Sequence, residues 1–153
     1  TDDGCLIFAD LHYLLALVGD NREAAITEMM GRLHRDAREA KTDMQKTMAA
    51  PGLSAAAGLE AFGEARYDIA FLNLSRARQT MQHAGGSHAQ RDVFERLTID
   101  CGIRAGFLDE AQAILSERTA RRRGLEDGYA SARRSLIERG RAATGNTQSV
   151  PAE

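Results

Sequence analysis

Apolar positions recur along this chain at helical spacing almost from end to end. From Leu6 to Val18 nearly every residue is apolar, the pattern of a helix enclosed by neighbours. Only Asp10 and His12 interrupt it, and two residues apart they point to roughly opposite sides of a regular helix. Gly19 reads as the stop, and Asp20 with Glu23 as a capping-box-like start for a second helix running back antiparallel. There Ile26, Met30, Leu33, Ala37, Ala40, Met44 and Met48 form one stripe at steps of three and four, which predicts a continuous core face. Glu28 and Arg32 are expected to pair on its polar side. Ala49-Ala50-Pro51-Gly52 breaks the pattern. A third helix is predicted over 53–64 and a fourth from Tyr67 to about Gln82. Gly58, Ala70 and Ala77 are the small residues where these two must approach closely, with Tyr67 and Leu74 as the larger residues between them.

Gly85 and Gly86 end the fourth helix, and Ser87 with Gln90 makes an S-x-x-Q capping box for a fifth over 88–105. Gly106 turns the chain into a sixth, carrying Ala111, Ile114 and Leu115. The turns at Gly19, Ala65 and Gly106 are 46 residues (19 to 65) and 41 residues (65 to 106) apart, in the range of helical-hairpin repeats. One hairpin cannot bury its apolar face alone, so neighbours must share a core. The chain therefore predicts an all-α domain over 1–142, built as stacked antiparallel helical hairpins. These fall at about 6–48, 53–82 and 88–122, with a capping helix at about 125–140 that carries Tyr129, Leu136 and Ile137. Residues 143–153 are small and polar without periodicity and are expected to form a flexible tail.

Composition narrows the function classes. The 153 residues are 43% hydrophobic and 27% charged with a net charge of −2, which fits an ordinary soluble domain and argues against a basic nucleic-acid binder. Cys5 and Cys101 are too few for a disulfide scaffold, and with four scattered histidines they give no zinc spacing. The longest apolar run, Leu11 to Val18, contains His12 and is too short to span a bilayer. Arg118, Arg121, Arg122, Arg123, Arg133, Arg134, Arg139 and Arg141 are interspersed with Glu117, Glu126, Asp127 and Glu138, which reads as a solvated helix face. The first residue is Thr1 rather than methionine, as expected of a chain that is processed, trimmed or a piece of something longer.

One run is too particular for composition to explain. Gly85-Gly86-Ser87-His88-Ala89-Gln90-Arg91-Asp92-Val93-Phe94 closely resembles a hallmark segment of the tetratricopeptide repeat protein 38 family. Phe8-Ala9-Asp10-Leu11-His12 looks like that family's F-x-D-x-H segment. Gly52-Leu53 through Ala61-Phe62 is similar to the helix before its central turn, and Tyr67-Asp68-Ile69-Ala70 follows in place. The resemblance covers, with gaps, residues 6–118. Where the family usually has a glycine before the tyrosine, this chain has Ala65-Arg66, a less permissive turn. The resemblance implies a tetratricopeptide-repeat-like solenoid forming the C-terminal portion of a longer protein, and says little about activity.

Two functions fit these residues. The first is a helical-repeat scaffold in the cytoplasm that binds a protein or peptide, a second copy of the chain included, through Asp10, His12, Ser87, His88, Arg91 and Asp92. No cofactor, metal or membrane is expected for it. The alternative is an enzyme or small-molecule site using Asp10, His12, Ser87, His88 and Asp92, because hydroxyl, imidazole and carboxylate are the groups of nucleophile, base and orienting residue. That role requires the side chains to converge.

Overall fold

The computed structural model describes residues 7–147, with side chains through Thr144. All regular structure among them is helical: α1 (Ile7–Gly19), α2 (Glu23–Glu39), α3 (Asp43–Thr47), α4 (Leu53–Gly63), α5 (Tyr67–Arg78), α6 (His88–Ala105), α7 (Leu108–Arg121) and α8 (Gly128–Thr147). An irregular turn at Met48–Gly52 contains a cis Ala50-Pro51 bond, and a single 3-10 turn covers Met81–Ala84. No helix is long and apolar enough to cross a membrane among the described residues.

Helices adjacent in sequence pack together in three pairs, α1 with α2, α4 with α5 and α6 with α7. The first helix of each later unit also lies on the second helix of the one before it: α4 on α2, α6 on α5 and α8 on α7. One core runs through all of them, including Leu11 and Leu14 of α1, Leu33 of α2, Leu59 of α4, Leu74 of α5, Ile99 of α6, Leu115 of α7 and Ile137 of α8. Close approach depends on small residues. A Cβ added at Gly58 would stand 2.6 Å from Leu74 Cγ, and one at Gly102 would stand 2.9 Å from the Phe71 ring and 3.1 Å from Ala111 Cβ.

The turns inside the three helix pairs share one conformation. Asn21, Ala65 and Gly106 have φ of 52°, 57° and 83°, the left-handed region. Each next residue closes a 6→1 bond onto the helix just ended: Arg22 N–H to Leu17 C=O at 3.0 Å, Arg66 to Ala61 at 2.9 Å, Phe107 to Gly102 at 2.9 Å. This is the Schellman arrangement, which satisfies carbonyls that a helix end otherwise leaves open. Arg22, Arg66 and Phe107 then take nearly the same dihedrals, −86°/66°, −82°/70° and −79°/61°, and each carbonyl accepts the first bond of the next helix. The expected first turn at Gly19 is thus corrected to Asn21, and the spacings to 44 residues (21 to 65) and 41 residues (65 to 106). Asp20 does not cap α2; its carboxylate lies 3.5 Å from Arg22 in an exposed pair.

The long second stripe is also corrected. Ala40 turns to φ 44°, and Gln45 Oε1 accepts the amides of Lys41 and Thr42 at 2.9 and 3.1 Å. Those amides are withdrawn from any continuing helix, and the Thr42–Gln45 capping box starts α3 instead. Met30, Leu33, Ala37 and Met48 remain buried, while Met44 lies beyond the break and is exposed. Arg32 pairs with Asp10 and Asp36 rather than with Glu28. At the far end α8 continues to Thr147, into the expected tail: Arg141, Ala142 and Ala143 are strong helix formers, and Thr144 Oγ1 donates to Gly140 C=O at 3.0 Å. Residues 148–153 and Cys5 lie outside the described residues.

Candidate functional site

The capping box read from the sequence forms as expected. Ser87 Oγ accepts from Gln90 N at 3.3 Å, and Ser87 N donates to Gln90 Oε1 at 2.8 Å. Gly85 and Gly86, at φ 90° and 74°, bring the chain to this start. A Cβ on Gly86 would stand 2.7 Å from the Phe8 ring, so the absence of a side chain lets α1 press against the loop. Phe8 lies against His12 with centroids 4.0 Å apart and the rings tilted by 43°, and Phe94 meets both rings edge-on at 6.3 and 5.1 Å. The two segments singled out in the sequence therefore touch through Phe8, His12, Gly86 and Phe94.

Their polar groups do not converge. His12 Nδ1 donates to Phe8 C=O at 2.9 Å, one turn earlier on its own helix. Asp10 is buried and accepts from Arg32 Nη2 at 2.6 Å, beside a smaller cleft of about 380 Å³ against α2 and α3. Ser87 is committed to its cap. Arg91 Nη1 donates to Gly85 C=O at 3.0 Å and also to Gly86 C=O, and its Nη2 reaches His88 Nδ1 at 3.4 Å. Asp92 is taken up by Arg118 in an ion network with α7. Ser87, His12 and Asp92 thus have separate partners, not the mutual contacts of a nucleophile, its base and an orienting carboxylate.

That network holds the largest correction to the sequence reading. Arg118, expected on a solvated face, is 1% exposed. Its Nε and Nη2 donate to Asp92 at 2.6 and 2.8 Å, and its Nη1 and Nη2 donate to Asp127 at 3.1 and 2.8 Å. Asp127 Oδ1 also accepts from Ala130 N at 2.9 Å, at the start of α8. Burial alone would push the Asp92 carboxyl up, but hydrogen bonds from Arg118 and Arg96 override it and hold the acid below its usual range. Asp127 is held down more strongly, first by Arg118 and then by the Ala130 amide. Tyr129 sits beside them with Arg96, Arg118 and Arg133 over its ring at 4.8, 5.1 and 4.3 Å, and its single hydroxyl proton lies between two acceptors, Arg96 C=O and Asp100 Oδ1, at 2.9 Å each. Burial and the Asp100 charge push that phenol far up. A signal for Arg118 exists in the sequence: with Ala111, Ile114 and Leu115 it occupies the inward stripe of α7, where an arginine requires buried acceptors.

Between α5, the 3-10 turn, α6 and α7 lies an open cleft of about 860 Å³. Leu74, Met81 and Phe94 give it an apolar floor. Three cross-links run along it: Arg78 of α5 donates to Glu95 of α6 at 2.9 Å and to Glu117 of α7, and Arg121 of α7 pairs with Glu95. The Arg78 contact holds the exposed Glu117 carboxyl below its ordinary range. His88, Arg91 and Asp92 are the sequence-selected residues that line this cleft; Asp10, His12 and Ser87 do not. Arg78, Glu95 and Glu117 were missed, because single charges at helical spacing carry no signal of a partner on another helix. No group of three metal-ligating side chains occurs among the described residues. Cys101 is buried, and burial followed by the Asp100 charge pushes its thiol up to about 12.

Fold and site together define an all-helical protein with a charged, partly apolar cleft across two successive hairpins. No protein-family model matches the chain, and no solved structure matches it.

Proposed function

We propose that the chain is a tetratricopeptide-repeat-like scaffold, akin to the C-terminal portion of tetratricopeptide repeat protein 38 family members, that binds a protein or peptide. The observation carrying this reading is the cleft itself, open, about 860 Å³ in volume and built from α5 of one hairpin and α6 and α7 of the next. Ligand sites in stacked-hairpin proteins arise on such shared surfaces. The thrice-repeated turn supports the solenoid part of the reading, and the contact of Phe8 and His12 with Gly86 and Phe94 supports the family part. Within it, the Gly85–Phe94 segment is a clasp: it starts α6, pins α1 and presents His88 and Arg91 at the cleft.

The test blocks the cleft without altering its charges. Ala89 is exposed and lines it, whereas Ala132 is exposed on α8 and does not. The chain is used to select from displayed random dodecapeptides. Ala89→Trp is expected to abolish binding of the enriched peptides and Ala132→Trp to leave it intact. Peptides that bind the Ala89→Trp chain equally well would refute the reading.

A further inference from the structure

We infer that the occupant of this cleft is an acidic peptide segment carrying an apolar side chain, an inference that rests on the scaffold reading above. The charge balance of the lining decides the sign. Five guanidinium groups, Arg78, Arg91, Arg118, Arg121 and Arg122, face three carboxylates, Asp92, Glu95 and Glu117. Including the neighbouring pair Arg96 and Asp127 adds one charge of each sign and leaves the same excess of two. The cleft is therefore positive in a chain whose net charge is −2.

The excess is localised. Arg91 binds carbonyls and an imidazole, with no carboxylate partner among the described residues. Arg122 is half-exposed and, among the described residues, pairs only with Asp127, at 3.6 Å, a carboxylate already engaged by the shorter bonds of Arg118. One stands at the first turn of α6 and the other just beyond the end of α7. A planar guanidinium matches a carboxylate with two parallel bonds, and each partner here has donors to spare. Exposed Ala89 and the methylene stems of the lining arginines provide the contact surface for the apolar side chain, over a floor of Leu74, Met81 and Phe94 that is almost closed to solvent.

A peptide fits this surface better than a nucleic acid does. Glu95 and Glu117 lie along the cleft, where they would repel a continuous phosphate backbone, while a peptide can place carboxylates at Arg91 and Arg122 and amide groups elsewhere. Glu117 is exposed and bridges Arg78 to Arg121. An incoming carboxylate can replace it on Arg78 at little cost, because one exposed ion pair is exchanged for another.

The display selection supplies the test. Enriched dodecapeptides are expected to combine aspartate or glutamate with a leucine, methionine or aromatic residue. A synthetic copy of one, followed by fluorescence anisotropy, should lose about tenfold in affinity in Arg122→Gln and again on raising salt from low to physiological strength. Its amide analogue, with asparagine and glutamine for the acids, should bind far more weakly. Arg91→Gln should weaken binding too, but it also frees the Gly85 and Gly86 carbonyls, so Arg122→Gln is the cleaner variant. Neutral or basic peptides that are still blocked by Ala89→Trp would overturn the acidic occupant and leave the scaffold standing. Peptides indifferent to Ala89→Trp, or no enrichment, would overturn both. A single-stranded oligonucleotide that binds more tightly than the peptide and is blocked by Ala89→Trp would also refute the inference.

Discussion

Arg118 of α7 and Asp92 of α6 form a two-bond ion pair, at 2.6 and 2.8 Å, from a guanidinium withdrawn almost wholly from solvent. Removing one member of such a buried pair leaves the other charged and poorly solvated, which typically costs about 3–5 kcal/mol. Arg96 remains beside Asp92 and Asp127 to compensate in part. Arg118→Met is therefore expected to lose about 2–3 kcal/mol near neutral pH, read as a fall in the urea midpoint. The pH dependence has a definite sign. Asp92 and Asp127 are depressed in the folded state, and unfolded aspartate titrates near about 3.9. Their stabilisation is complete above that value and is lost as pH falls through the folded values, where the unfolded chain binds more protons. The parent midpoint should fall progressively as pH drops below about 4, and that of Arg118→Met should fall less. Equal slopes would show that the pair is not what the acids report.

Gly58 and Gly31 separate two uses of glycine inside helices. At Gly58 an added methyl meets Leu74, including its backbone N at 3.2 Å, so α4 and α5 would have to part. Gly58→Ala is expected to destabilise by about 2 kcal/mol through overpacking. Gly31 lies inside α2, and the nearest atom to its added Cβ is Arg35 Nη1 at 3.6 Å. Gly31→Ala should stabilise by about 0.5–1 kcal/mol, the usual gain when only chain entropy changes. Thermal melts of the two variants moving in the same direction would contradict the packing described for α4 and α5.

Ala65 carries a left-handed dihedral without being glycine, in a turn that its counterpart at Gly106 makes with the same bonds. An L side chain in that region costs about 1–2 kcal/mol. Ala65→Gly is expected to raise the melting temperature by a few degrees, offset in part by glycine's greater unfolded entropy. Gly106→Ala should lower it. A fall in Ala65→Gly would mean that the turn is strained less than its φ implies.

What was legible in the sequence followed from local rules. The capping box at Ser87, the close approach of Gly58 to Leu74 and the stop at Gly106 each depend on residues within a turn or on one neighbouring helix. Two errors came from competition that spacing does not reveal. The stripe from Ile26 to Met48 kept its period across Ala40, yet Gln45 claims the amides that a continuing helix needs. Gly19 looked like the turn residue, while Asn21 carries the positive φ, since asparagine tolerates that conformation too. The ion network was the least legible part. Whether Arg118 meets water or Asp92 and Asp127 depends on how α6, α7 and α8 are brought together. Asp10, His12 and Ser87 stand out by chemical type alone, and each is occupied locally: Asp10 by Arg32 of α2, His12 by Phe8 of its own helix, Ser87 by the cap of α6.

Asp127 performs two tasks with one side chain. Its Oδ1 accepts from the Ala130 amide at the first turn of α8, and both of its oxygens accept from Arg118 of α7. The group that nucleates the last helix is thus the group that anchors it. Fraying at the start of α8 loosens its mooring, and undocking removes the charge that orders its first turn. Order in the first turn of α8 and its docking on α7 are thereby tied to a single carboxylate.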